Sequence, residues 1–177
     1  MEQLISQEAI KNRIDGLAAE INSEFDGKNV VVICLLKGAA LFSADLVRRL
    51  NFPLIMEYME AKSYNKTAST GKIQVTKDIG RSLAGENVLV LEDIVDTGQT
   101  LDFILKKLAV HSPATLKTCV LLDNPARRKI ENIKPDFTGF VIPNKFVIGY
   151  GLDYDEKYRN LPYIAVMPAN SPQNGGF

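Results

Sequence analysis

Residues 88–101 read VLVLEDIVDTGQTL. An apolar run meets the adjacent carboxylates of Glu92 and Asp93. A third acid, Asp96, then opens a turn of small hydrogen-bonding residues: Thr97, Gly98, Gln99 and Thr100. Successive strand side chains point to opposite faces, so two neighbouring acids can serve one ligand only where a strand is ending. At such a rim they can accept hydrogen bonds from vicinal hydroxyls or hold a hard cation such as magnesium. A loop of small residues at a helix N-terminus leaves backbone N–H groups without acceptors. Those groups and the helix dipole favour a phosphate, and the hydroxyls of Thr97 and Thr100 add donors. Gly98 lets the backbone come close. The stretch thus offers acids for a sugar's diol beside a nest for that sugar's phosphate. It is no Walker loop, lacking the lysine and four-residue spacer, and it has no dinucleotide glycine triplet. The plainer reading, a helix capped by Asp96 after two solvated acids, stays open at this point.

The elements that must hold this stretch follow from periodicity. Residues 6–25 place Ile10, Ile14, Leu17, Ala18 and Ile21 at helical spacing, with Ser6 as N-cap and Asp26-Gly27 as the stop. VVVICLL (30–36) is continuous and β-branched, as suits a strand buried on both faces. A helix follows over AALFSADLVRRL. Strands are expected at 54–64, 72–78, 88–94 and 115–123, and a helix at 98–110. FTGFVI and FVIGYG read as short strands, and the tail 171–177 as frayed. Strands alternating with helices at this spacing specify an α/β domain with a central, mostly parallel sheet flanked by helices. Such sheets bind ligands outside the carboxyl ends of their strands. That directs attention to residues 36–38, 92–100 and 122–124.

The totals narrow the class. A chain of 177 residues is expected to form one domain, 1–177. Lys plus Arg and Asp plus Glu number 21 each, which argues against nucleic acid as a partner. No apolar run reaches the roughly 20 residues that span a bilayer, and the N-terminus has no signal-peptide pattern. Cys34 and Cys119 sit within apolar runs and read as buried thiols in a reducing, cytoplasmic setting. One histidine and two distant cysteines do not make a usual zinc site.

VLVLEDIVDTGQTL closely resembles the phosphoribosyl pyrophosphate motif of the type I phosphoribosyltransferases. CLLKGAALFSADL resembles the pyrophosphate loop of their hypoxanthine-guanine branch. KSYNKTASTGKI resembles its flexible lid, and KPDFTGFVIPNKFVIGYGLDYDEKYRNLPYI its purine-binding C-terminal part. The resemblance implies the type I fold with a small C-terminal hood, mainly 136–177, and a lid at about 63–76. It implies a magnesium-dependent purine salvage enzyme, forming IMP or GMP from hypoxanthine or guanine and phosphoribosyl pyrophosphate. By the same resemblance Glu92 and Asp93 bind the ribose hydroxyls, directly or through magnesium. Asp96 to Thr100 bind the 5′-phosphate, and Asp96 is the proton acceptor at purine nitrogen-7. Lys37, Gly38, Ser63, Tyr64 and Arg159 serve pyrophosphate. Phe146 stacks on the purine, with Lys145, Val147 and Asn124 around it. Asp153 holds a second magnesium near the base. A homodimer or homotetramer is implied as well.

One position departs from the pattern. Many relatives have a lysine after the strand ending LLD, as donor to a 6-oxopurine's exocyclic oxygen; here it is Asn124, shorter and neutral. Two alternatives therefore accompany the reading: a same-fold transferase preferring another base such as xanthine, and a nucleotide-sensing regulator that binds RNA.

Overall fold

The computed structural model describes residues 1–64 and 72–168. Its main sheet has six strands: β2 (Val30–Leu36), β3 (Leu54–Tyr64), β4 (Lys72–Lys77), β5 (Asn87–Val95), β6 (Thr115–Asp123) and β7 (Phe137–Val141), in the order β4-β3-β2-β5-β6-β7. All pairs are parallel except β3–β4. Strand β2 and the 88–91 run of β5 are apolar at every position because both faces are covered. Val30, Val32, Leu89 and Leu91 pack into one core with helices α1 (Gln7–Glu24) and α2 (Ala40–Val47). Val31, Ile33, Val88 and Val90 pack into a second core with α3 (Gln99–Ala109). Each fully buried Leu, Ile or Val stabilises by about 1.5–3 kcal/mol. These strands are therefore the rigid part from which the loops project.

Helix α1 starts where the Ser6 side chain accepts a hydrogen bond from Ala9 N at 3.1 Å. Its Arg13 reaches the far edge of the sheet, donating to the carbonyls of Thr138 and Gly139 at 2.7 and 3.0 Å. Cys34 and Cys119 are free and buried. Among the described residues no helix is long and apolar enough to cross a membrane.

A second sheet of three antiparallel strands caps one end, in the order β1 (Glu2–Ile5), β9 (Ile164–Val166), β8 (Val147–Ile148). Its make-up differs from a hood over 136–177 at both ends. β7 completes the main sheet beside β6, whereas the N-terminal Glu2–Ile5 supplies an edge of the small sheet. The sheet is docked on α2 by the hydrogen bond from the Tyr150 hydroxyl to Asp45. Of the expected lid, residues 72–76 are strand β4. Residues 65–71, like the tail 171–177, lie outside the described residues.

Candidate active site

The carboxyl ends of β5 and β6 and the start of β8 border one cavity of about 590 Å³. Strand β5 runs to Val95, past the point where its acids were expected to end it. Both acids still reach the cavity, because the β2 partner of β5 stops at Leu91. Beyond it, the amides of Asp93 and Ile94 meet the carboxylates of Glu92 (3.2 Å) and Asp93 (2.9 Å) in place of a neighbouring strand. The loop after β2 fills the gap: Gly38 lies so close that a Cβ there would overlap the Asp93 carboxylate. The Leu36–Lys37 peptide in this loop is cis. Burial, with the charge of Asp93 beside it, pushes the Glu92 carboxyl well above its ordinary range.

The turn from Asp96 to Thr100 forms the next wall. Gly98 adopts φ 82° as the cap of α3, a left-handed conformation that favours glycine. The first helical bond to Gly98 comes from Asp102 N, so the amides before it have no acceptor within the helix. Thr97 Oγ1 takes the Gln99 amide at 3.3 Å. The residues of this turn line the cavity at the positive end of the helix dipole, an arrangement suited to a phosphate.

Asp96 is held from two sides. Asn124, 1% exposed, donates from Nδ2 to Asp96 Oδ1 at 3.2 Å, and Arg127 pairs with Oδ2 at 2.8 Å. Burial raises the Asp96 carboxyl above the ordinary aspartate range, against the opposing charges of Arg127, Arg128 and Lys129. The Asn124 Oδ1 atom is buried and has no hydrogen-bond partner among the described residues.

The purine-side candidates Lys145, Phe146 and Val147, with Asp153, line the opposite wall. Phe146 meets Tyr154 edge-on, with centroids 5.9 Å apart. The structure thus brings together Glu92, Asp93, the whole Asp96–Thr100 turn, Asn124, Lys145, Phe146, Val147 and Asp153. Lys37, Gly38 and Arg159 sit beside this cavity rather than in its wall. Arg159 pairs with Asp153 at 2.9 Å, and Lys37 with Glu156 at 2.8 Å. Ser63 and Tyr64 end β3, paired with Ile73 and Lys72 of β4.

Arg127 and Lys129, which are not among the site residues expected from sequence, also line the cavity. A 3-10 turn at Pro125–Arg127 folds the run back, and Lys129 N and Ile130 N both donate to Thr97 O, at 2.9 and 3.3 Å. The run of cations starting three residues after Asn124, which follows β6, was the available signal.

Among the described residues, no three His, Cys, Asp or Glu side chains converge as a metal cluster, so Glu92, Asp93 and Asp153 do not form a joint cage. Magnesium does not require one. It keeps several waters and takes one or two carboxylates plus substrate oxygens, and the Glu92–Asp93 pair and Asp153 each fit that demand.

Comparison with known proteins agrees with this fold. The family model for the phosphoribosyl transferase domain matches residues 1–155. The hypoxanthine-guanine phosphoribosyltransferase of Bacillus subtilis is 43% identical over 165 residues, which are 93% of this chain and 91% of that protein. The bifunctional protein TilS/HprT of Listeria monocytogenes is 44% identical over 93% of this chain, and the chain spans only 25% of that longer protein. The hypoxanthine phosphoribosyltransferase of Trypanosoma cruzi, solved in complex with the product IMP, aligns with a TM-score of 0.88 at 39% identity, covering 95% of this chain and 94% of that one. The chain belongs to the phosphoribosyltransferase family, with its type I fold, on the branch of the hypoxanthine-guanine phosphoribosyltransferases.

Proposed function

We propose that this chain transfers the 5-phosphoribosyl group of phosphoribosyl pyrophosphate to nitrogen-9 of hypoxanthine or guanine. The bond from ribose C1 to pyrophosphate oxygen breaks, the bond from C1 to nitrogen-9 forms, and pyrophosphate leaves with the bonding electrons. One observation carries this reading: a single cavity joins the acid pair, the turn from Asp96 to Thr100 and the ring of Phe146 just before β8.

In this reading the turn from Asp96 to Thr100 fixes the 5′-phosphate, and the Glu92 and Asp93 carboxylates accept from the ribose diol. Holding both ends of the sugar orients C1 toward the base and removes much of the entropic barrier. Phe146 offers a ring face to the purine, and Val147 and Lys145 border the base edge. Asp96 takes or shares the proton at nitrogen-7 as nitrogen-9 attacks. Its raised pKa suits a group that must accept a proton near neutral pH. Lys37 and Arg159 face the departing pyrophosphate, together with Gly38, Ser63 and Tyr64 of the adjoining segments. Magnesium, held by Glu92 and Asp93 or by Asp153, would offset the charge of the departing pyrophosphate. Segment 63–76 is the lid that excludes water from the oxocarbenium-like transition state. The enzyme acts in the cytoplasm as a homodimer or homotetramer.

Asn124 favours a second reading of the base. A neutral amide already committed to Asp96 discriminates a 6-oxo group less strongly than a cation would, so xanthine belongs among the candidate substrates. The test is a panel of free bases with phosphoribosyl pyrophosphate and magnesium, following nucleotide formation. Turnover of hypoxanthine or guanine is expected; turnover of no purine overturns the proposal.

A further inference from the structure

Two cations that sequence places far apart converge on one oxygen. Glu156 Oε2 lies 2.8 Å from Lys37 Nζ and 3.5 Å from Arg159 Nη2. Two basic groups sharing a single anionic oxygen already form an anion site, and here a carboxylate of the chain itself fills it. The guanidinium is also anchored to the cavity edge: the same Nη2 lies nearer to Asp153 Oδ1, at 2.9 Å, and Nη1 donates to Gly151 O at 2.7 Å. Arg159 Nε is buried and has no hydrogen-bond partner among the described residues.

The tether of the carboxylate is fixed while its tip is loose. Glu156 N donates to Asp153 Oδ2 at 2.8 Å, and reciprocal backbone bonds between Tyr154 and Lys157 close the turn that carries it. The Glu156 and Lys37 side chains, by contrast, are 66% and 51% exposed. An ion pair that open to water is weak and easily exchanged for a more highly charged ligand.

We propose that Glu156 is a resident counter-anion of the pyrophosphate subsite: its carboxylate neutralises Lys37 and Arg159 until pyrophosphate displaces it, and it thereby sets the affinity for pyrophosphate-bearing ligands while leaving nucleotide monophosphate affinity alone. This rests on the proposed function, which gives those two cations to pyrophosphate. Glu156 itself touches no reacting atom; it acts through the cations it holds. Its turn is tied to Asp153, and Gly151 O, which anchors Arg159, belongs to a residue packed against Gly38. Release of the carboxylate therefore frees Lys37 and removes one of the two acids facing Arg159, which stays anchored by Asp153 and Gly151 O.

Calorimetric titration of the full chain with pyrophosphate, with and without magnesium, and separately with IMP, tests this. Glu156→Gln removes the charge and retains the shape. Its affinity for pyrophosphate is expected to rise roughly two- to fivefold, with the gain shrinking as salt is added, and its affinity for IMP to stay within error. In a Lys37→Gln background the same change is expected to gain less, since the two residues act through one contact. Unchanged or weaker pyrophosphate binding by Glu156→Gln, with wild type binding normally, overturns this inference alone. Failure of wild type to bind either pyrophosphate or IMP overturns the proposed function with it.

Discussion

Replacing Gly38 by alanine separates the fold from the site. The new Cβ would overlap the Asp93 carboxylate, which is the end of a flexible side chain rather than backbone. The cheapest relief is for that carboxylate to swing away, giving up its bond from Ile94 N at 2.9 Å. One such bond contributes about 0.5–1.5 kcal/mol. For a domain of this size that lowers Tm by only about 1–6 °C. The functional loss should be larger. If Asp93 accepts from the ribose diol, a charge-assisted bond of about 1.5–3 kcal/mol disappears, weakening the phosphoribosyl donor roughly ten- to a hundredfold. Thermal melts would be run beside calorimetric titration of the donor with magnesium. Gly80→Ala, where an added Cβ meets nothing within 4 Å, is the control and should match wild type in both. A Gly38→Ala protein that melts lower yet binds donor as tightly as wild type would refute the role given to Asp93.

Other expectations follow from single contacts. Arg127→Gln removes the nearest cation opposing the burial-raised pKa of Asp96. A less stabilised carboxylate protonates at higher pH, so the acid limb of the kcat–pH profile should move upward, and a stationary limb would count against Asp96 as the acceptor. Phe146→Ala should raise KM for the purine more than for the donor; equal increases would speak against stacking. Ser6→Ala removes the cap of α1 and should cost about 1 kcal/mol, or roughly 2–4 °C in Tm, with kcat unchanged.

The core strands and α3 were legible because their patterns are local. VVVICLL and VLVL are apolar at every step because helices cover both faces, and their limits agree with the structure within a residue or two. β1 was not legible: four residues carry too little periodicity to mark a strand, and what makes Glu2–Ile5 extended is β9, which begins 159 residues after Ile5. The binding turn was legible from its own composition. The contacts that set its charge were not, because Asn124 and Arg127 reach Asp96 only through the parallel register of β5 and β6. The junction of Lys37, Glu156 and Arg159 is hidden for the same reason: it exists only once the hood lies against the loop after β2.

A structure of the protein with IMP bound tests the central claim most directly. The phosphate should rest on the Thr97–Thr100 amides, with the ribose hydroxyls within hydrogen-bonding distance of Glu92 and Asp93 and the purine between Phe146 and Asp96. A nucleotide bound with its phosphate anywhere else would contradict the assignment of that turn.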